Sequence, residues 1–125
     1  MELVDIRNLA RTRSAAISHT PDRDARRLLL YVFTGTRGGH TRLKIISLLS
    51  DRPLNTNQIA SEMNLDYKAI QHHLEVLEKN NLVAKLGGKY GALFYLSNYL
   101  EVNILALDEV ATKLERKLNA KKVYL

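Results

Sequence analysis

Between Leu54 and Val83 the apolar positions fall into two short helical patterns separated by a polar turn, LNTNQIASEMNLDYKAIQHHLEVLEKNNLV. Ile59, Ala60 and Met63 form the apolar face of the first pattern. Thr56 or Asn57 is its expected cap, accepting a hydrogen bond from the free amides of the first turn. Asn64 suits the exit, because asparagine tolerates the left-handed backbone that ends a helix. Asp66 is the expected cap of the second helix, in which Ile70, Leu74 and Leu77 recur at spacings of four and three, with Val76 as an extra core position. The opposite face carries Tyr67, Lys68, Gln71, His72 and Glu75, mostly groups able to donate to phosphate oxygens or base edges. After Asn80-Asn81 the period changes to that of a strand. LVAKL and ALFYLS flank Gly87-Gly88-Lys89-Tyr90-Gly91 and predict a β-hairpin with Lys85, Lys89 and Tyr90 toward its tip. A helix-turn-helix followed at once by a hairpin has the order of a winged DNA-binding unit, although an amphipathic helix pair also occurs as plain scaffold.

The flanks add more helix. Thr20-Pro21 predicts a helix start, with proline at the first helical position and Asp22 and Asp24 beside the positive end of the dipole. RRLLLYVF then runs apolar to Gly35. Gly38-Gly39 breaks the chain, and Thr41 opens a helix containing Leu43, Ile45, Ile46, Leu48 and Leu49 that must end at Asp51-Arg52-Pro53. Toward the C-terminus, Leu100, Ile104, Leu107, Ala111, Leu114 and Leu118 alternate steps of four and three, a heptad seam expected to meet the same helix of a second copy. The competing reading folds that seam back on its own domain.

The predicted fold is therefore mainly α, an α+β winged helix. It has a three-helix helix-turn-helix core, a two-stranded β-wing and N- and C-terminal dimerisation helices. Residues 1–19 read as a basic arm or short helix, 20–99 as the DNA-binding domain and 100–125 as the dimerisation helix.

Composition narrows the function classes. The 125 residues carry a formal charge of +6, with nine basic against four acidic side chains in residues 1–50, which favours a polyanionic partner. Much of that excess reads as solvated surface, although Arg7 and Arg11 could serve an arm that enters a minor groove. No cysteine is present, which removes thiolate chemistry and fits a reducing compartment. No apolar run approaches a membrane span and MELVDIRNLAR lacks a signal-peptide core, so a cytoplasmic protein without membrane contact is expected. The acidic residues are dispersed, no phosphate-cradling glycine motif occurs, and no enzymatic activity or cofactor is expected. His72 and His73 project about 100° apart on a helix and do not chelate one ion, so no metal site is expected.

The run Ile59-Ala60, Leu65, Ala69-Ile70-Gln71-His72-His73-Leu74, Val76-Leu77 and Asn81-Leu82-Val83 resembles the winged-helix core of ArsR-type transcriptional regulators, over roughly Gly39 to Tyr99. The likeness is strongest to archaeal members. It implies a homodimer bound to double-stranded DNA at a pseudo-palindromic promoter site, with the Leu28–Phe33 element helping the C-terminal helix at the dimer contact. Tyr67, Lys68, Gln71 and His72 would then lie in the major groove, with Lys85, Lys89 and Tyr90 on the backbone or minor groove. Metal-sensing members use a cysteine pair at the start of the recognition helix, or carboxylate and histidine ligands on the C-terminal helix. This chain has neither thiols nor a C-terminal histidine. Asn81 stands where the family usually has glycine. The alternatives are a winged helix that binds protein or RNA; the polarity of Tyr67, Lys68, Gln71 and His72 argues against the first.

Overall fold

Helix α1 spans Arg23–Leu30 in the computed structural model, which describes residues 22–88 and 91–123. Asp22 occupies the N-cap position, so the helix opens later than the Thr20-Pro21 pattern predicts. Thr20, Pro21 and the basic segment 1–19 lie outside the described residues. Helix α1 continues into a π-helical turn, Tyr31–Gly35, which buries Val32 and Phe33. Such a turn widens the helix and alters the direction of its last carbonyls.

Helix α2, Gly39–Asp51, starts two residues before the predicted Thr41. Gly38 makes this possible with a φ of 88°, and a Cβ on Gly39 would stand 2.1 Å from the carbonyl oxygen of Phe33. The glycine pair is thus a tight joint where two backbones touch. Leu43, Ile45, Ile46 and Leu49 of α2 are buried, and the helix stops before Pro53 as expected.

Helix α3, Thr56–Met63, is capped by Asn55, ahead of both predicted candidates, Thr56 and Asn57. Asn55 Oδ1 accepts from Gln58 N at 2.8 Å, and Gln58 Oε1 accepts from Asn55 N at 2.9 Å. This reciprocal box satisfies two otherwise free amides. Asn64 ends the helix at φ 52°, ψ 46°, the left-handed conformation its identity suggested. Helix α4, Tyr67–Lys79, follows Asp66 at the N-cap position, although the aspartate side chain makes no capping bond. Asn81 then adopts φ 58°, a left-handed conformation that asparagine accepts more readily than most residues.

Strands β1, Val83–Leu86, and β2, Leu93–Leu96, pair antiparallel from Val83↔Leu96 to Leu86↔Leu93. Leu54 bridges to Phe94 through N···O distances of 3.2 and 2.8 Å, fixing the hairpin to the segment before α3. Together these elements form a winged helix-turn-helix fold.

The C-terminal region departs from the heptad reading in two respects. It is broken at Asn103 into α5, Asn98–Val102, and α6, Ile104–Val123. The seam is also closed within one chain: Leu100, Ile104, Leu107 and Ala111 are at most 1% exposed and Leu114 is 8% exposed. They join Leu29, Val32, Phe33, Leu43 and Leu77 in one continuous core. Side chains buried this deeply have little or no surface to give a partner, so of the six predicted interface positions Leu118, partly buried at the core edge, keeps the most to offer. Arg26 of α1 and Glu109 of α6 pair on the outside at 3.1 Å.

Candidate nucleic-acid interface

Each residue of α4 turns about 100° from the last, and this divides its surface into three arcs. Ile70, Leu74 and Leu77 are buried. Val76, expected in the core, is only half-buried. Tyr67, Gln71, Glu75 and Glu78 form one outward arc, and Lys68, His72, Val76 and Lys79 form the next. Tyr67, Lys68, Gln71 and His72 are all exposed, as the sequence predicted.

The structure does not bring these four residues to one place. Tyr67 and Gln71 line a cleft of about 370 Å³ between α4 and the wing, together with Lys85 of β1 and Asn55, Thr56 and Asn57 from the start of α3. His72 lines a different recess on the opposite flank of α4. Lys68 lines neither. Lys89 and Tyr90, expected at the wing tip, lie outside the described residues.

Carboxylates temper the wing-side cleft. Glu75 and Glu78 share its wall with Gln71. Lys85 Nζ lies 3.8 Å from Glu78 Oε1, a half-exposed pair that contributes little to stability but offsets the lysine charge within the cleft. Asn55, Thr56 and Asn57, which the sequence suggested only as capping candidates, stand in the same cleft. Their proximity depends on where the hairpin closes against Leu54, and local pattern carries no signal for that.

Behind α4 lies a buried cation. Arg42 of α2 is 2% exposed, although its sequence neighbours gave no reason to separate it from the surface arginines. Its Nε and Nη2 donate to the carbonyl oxygen of Val32 at 3.2 and 3.0 Å. Nη2 also donates to Thr36 Oγ1 at 2.5 Å and to the Arg37 carbonyl at 3.1 Å. The guanidinium therefore ties down carbonyls at the end of the π-turn, where the helix dipole is negative.

Nη1 of Arg42 meets His73 Nδ1 at 3.2 Å. A guanidinium only donates, so Nδ1 is the acceptor and the imidazole proton sits on Nε2. Burial, then the Arg42 charge, then His72 push the His73 pKa below the ordinary imidazole value. Gly38 permits this packing, since a Cβ there would stand 2.6 Å from His73 Cε1. His72 and His73 hold their ring centroids 5.7 Å apart, tilted by 54°. Among the described residues no group of three His, Cys, Asp or Glu side chains is placed to hold a metal ion, and no helix is long and apolar enough to cross a membrane.

Residues 39–85 match the model of the family described as bacterial regulatory protein, arsR family. No curated protein matches the sequence. Among solved structures, HlyU from Vibrio cholerae is similar in fold, with a TM-score of 0.54 and 24% identity over 76% of this chain and 97% of that one. Reduced HlyU from the same organism gives a TM-score of 0.53 and 23% identity over 73% of this chain and 90% of that one.

Proposed function

We propose that this chain is a sequence-specific DNA-binding transcriptional regulator that acts as a homodimer on a pseudo-palindromic promoter site. The observation that carries the reading is the pair of outward arcs of α4. Tyr67, Lys68, Gln71 and His72 stand exposed on a helix whose other side is locked into the core, beside a hairpin anchored through Leu54. An exposed, rigidly held polar helix is what readout of base edges in a major groove requires. The match of residues 39–85 to a regulator family model supports it, and the residue pattern from Arg37 to Leu82 supports an archaeal relationship within that likeness.

Dimerisation is part of the proposal through a surface other than the buried seam. The outer faces of the π-turn and α5 offer Tyr31, 61% exposed, and Val102, 41% exposed. A cytoplasmic location follows from the same functional reading.

A second reading has one specific observation in its favour. Leu86, Leu93 and Tyr95 share one face of the hairpin and are 68%, 37% and 41% exposed, an apolar patch that suits a protein partner. Selection of bound sequences from random duplex DNA separates the two readings. A symmetric motif with half-sites about 34 Å apart is expected for a homodimer. Recovery of no motif, with duplex affinity no stronger than that of an unrelated basic protein, would favour the protein-binding reading.

A further inference from the structure

The recess on the His72 flank of α4 has a composition unlike that of the wing-side cleft. It measures about 340 Å³, at the small end of the roughly 300–1,000 Å³ typical of ligand sites. Arg37, Arg42 and Lys79 line it together with His72, Tyr31 and Val76, and none of its lining residues is acidic.

Three formal positive charges converge there, and the protein offsets them only in part. The carbonyls that Arg42 engages at the end of the π-turn amount to about half a negative charge. Nη1 of Arg42 uses one of its two protons on His73, and the described residues supply no acceptor for the other. A buried guanidinium with donor capacity to spare calls for an anion.

The charge count points to the kind of anion. A carboxylate brings one negative charge, whereas a phosphoryl group brings about 1.5 to 2 near pH 7 and three acceptor oxygens. Arg37 can supply a forked donor and Lys79 a point charge from opposite sides, one on the loop after the π-turn and the other at the end of α4. We propose that this recess is a phosphoryl-binding site, with Arg42 as its fixed floor and Arg37 and Lys79 as its arms. It joins the π-turn, the start of α2 and the end of α4, so an occupant would brace the recognition helix from behind.

The phosphoryl group could belong to a free small molecule or to the DNA backbone, and the two sources separate experimentally. Arg37→Gln/Lys79→Gln changes only exposed side chains, so the variant should fold, which its melting curve checks. In the first arm, inorganic phosphate is titrated into DNA-free protein against chloride at equal ionic strength, following backbone amide shifts. Saturable shifts at Thr36, Arg37, Val76 and Asn80, with affinity at least fivefold weaker in the double variant, would establish a site for free phosphoryl compounds. In the second arm, duplex binding is measured against salt. A slope reduced by about two units in the double variant, without saturable phosphate shifts, would assign the site to a backbone phosphate.

Only the duplex arm rests on the proposed DNA-binding function. Unchanged duplex binding and salt slope together with no phosphate response would overturn the site and leave that function standing. Absence of duplex binding with a normal phosphate titration would do the reverse. Phosphate shifts that persist undiminished in the double variant would also overturn it.

Discussion

Helices α4 and α6 both show an apolar stripe with steps of three and four, yet the two stripes have different settings. In α4 the stripe Ile70, Leu74 and Leu77 is buried and the remaining surface stays largely open. In α6 burial extends beyond the heptad line: Ala106 and Val110 are at most 2% exposed alongside Ile104, Leu107 and Ala111. The helix is gripped by α1 and the π-turn over a wide arc. A heptad seam therefore reports that a helix is buried along one line, and the identity of the covering surface depends on the rest of the chain. In α4 the informative positions are those the core leaves free; in α6 they are the ones it occupies.

Leu107→Asp separates the two settings most sharply. An intermolecular seam would respond by releasing a folded monomer. A seam inside the fold has nowhere to put the charge, because Leu107 is 0% exposed. The substitution combines the lost transfer energy of a leucine with an unpaired buried carboxylate, about 4 kcal/mol or more, which is comparable to the whole stability of a small domain. Loss of the cooperative thermal transition is expected. A monomer by sedimentation that still melts cooperatively near the wild-type temperature would return Leu107 to a dimer interface.

On the α4 side the expected effect is smaller and should appear only in binding. Gln71→Ala removes an exposed amide and should leave the melting temperature unchanged while costing about 1 to 3 kcal/mol at the preferred duplex. Affinity for random duplex should hardly change. An equal loss on both duplexes would make Gln71 a nonspecific contact, and a destabilised protein would mean that the open arc supports the fold after all.

What could be read from the sequence divides along the same line. Local chemistry was legible: Asn64 and Asn81 sit at positive φ, Pro53 follows the end of α2, and the alternation around the glycine-rich turn became the paired strands of the wing. The polar arc of α4 was legible too, because its residues are exposed whatever surrounds them. The features missed depend on distant contacts. Helix α2 begins at Gly39 because Phe33 approaches it, and Arg42 is buried because a π-turn aims carbonyls at it. The break at Asn103 is held by its Nδ2 donating to the Tyr99 carbonyl at 2.9 Å, a bond invisible to a count of apolar steps. The grouping of Tyr67 and Gln71 with the wing, apart from His72, likewise follows from where the hairpin closes.

The capping box of α3 tests whether the support beneath α4 is separable from the surface that α4 presents. Asn55→Ala removes the acceptor for Gln58 N and should cost about 1 kcal/mol of folding stability, within the usual range of about 0.5 to 2. Denaturant midpoints give the measurement. Because Asn55 also lines the wing-side cleft, a loss of duplex affinity beyond the stability change would place it among the contacts instead.

The smallest effect expected is one of pH, and it tests whether α4 is held from behind through His73. In the folded chain His73 Nδ1 accepts a hydrogen bond from Arg42 and its pKa lies below the ordinary imidazole value of about 6.5. The unfolded chain therefore binds more protons than the folded one once pH falls below that value. Stability is fully present above about pH 6.5 and is lost progressively as pH falls through the lower folded value. His40, lowered by burial and by Lys44, acts in the same direction. His73→Gln keeps an amide oxygen able to accept from Arg42 but cannot be protonated in this range, so the fall in stability between pH 7 and pH 5 should be shallower than in the wild type. The residual slope would belong to His40 and the carboxylates. Parallel profiles for the two proteins would show that His73 is not the group resisting protonation, and that the Arg42 contact is incidental to holding α4 in place.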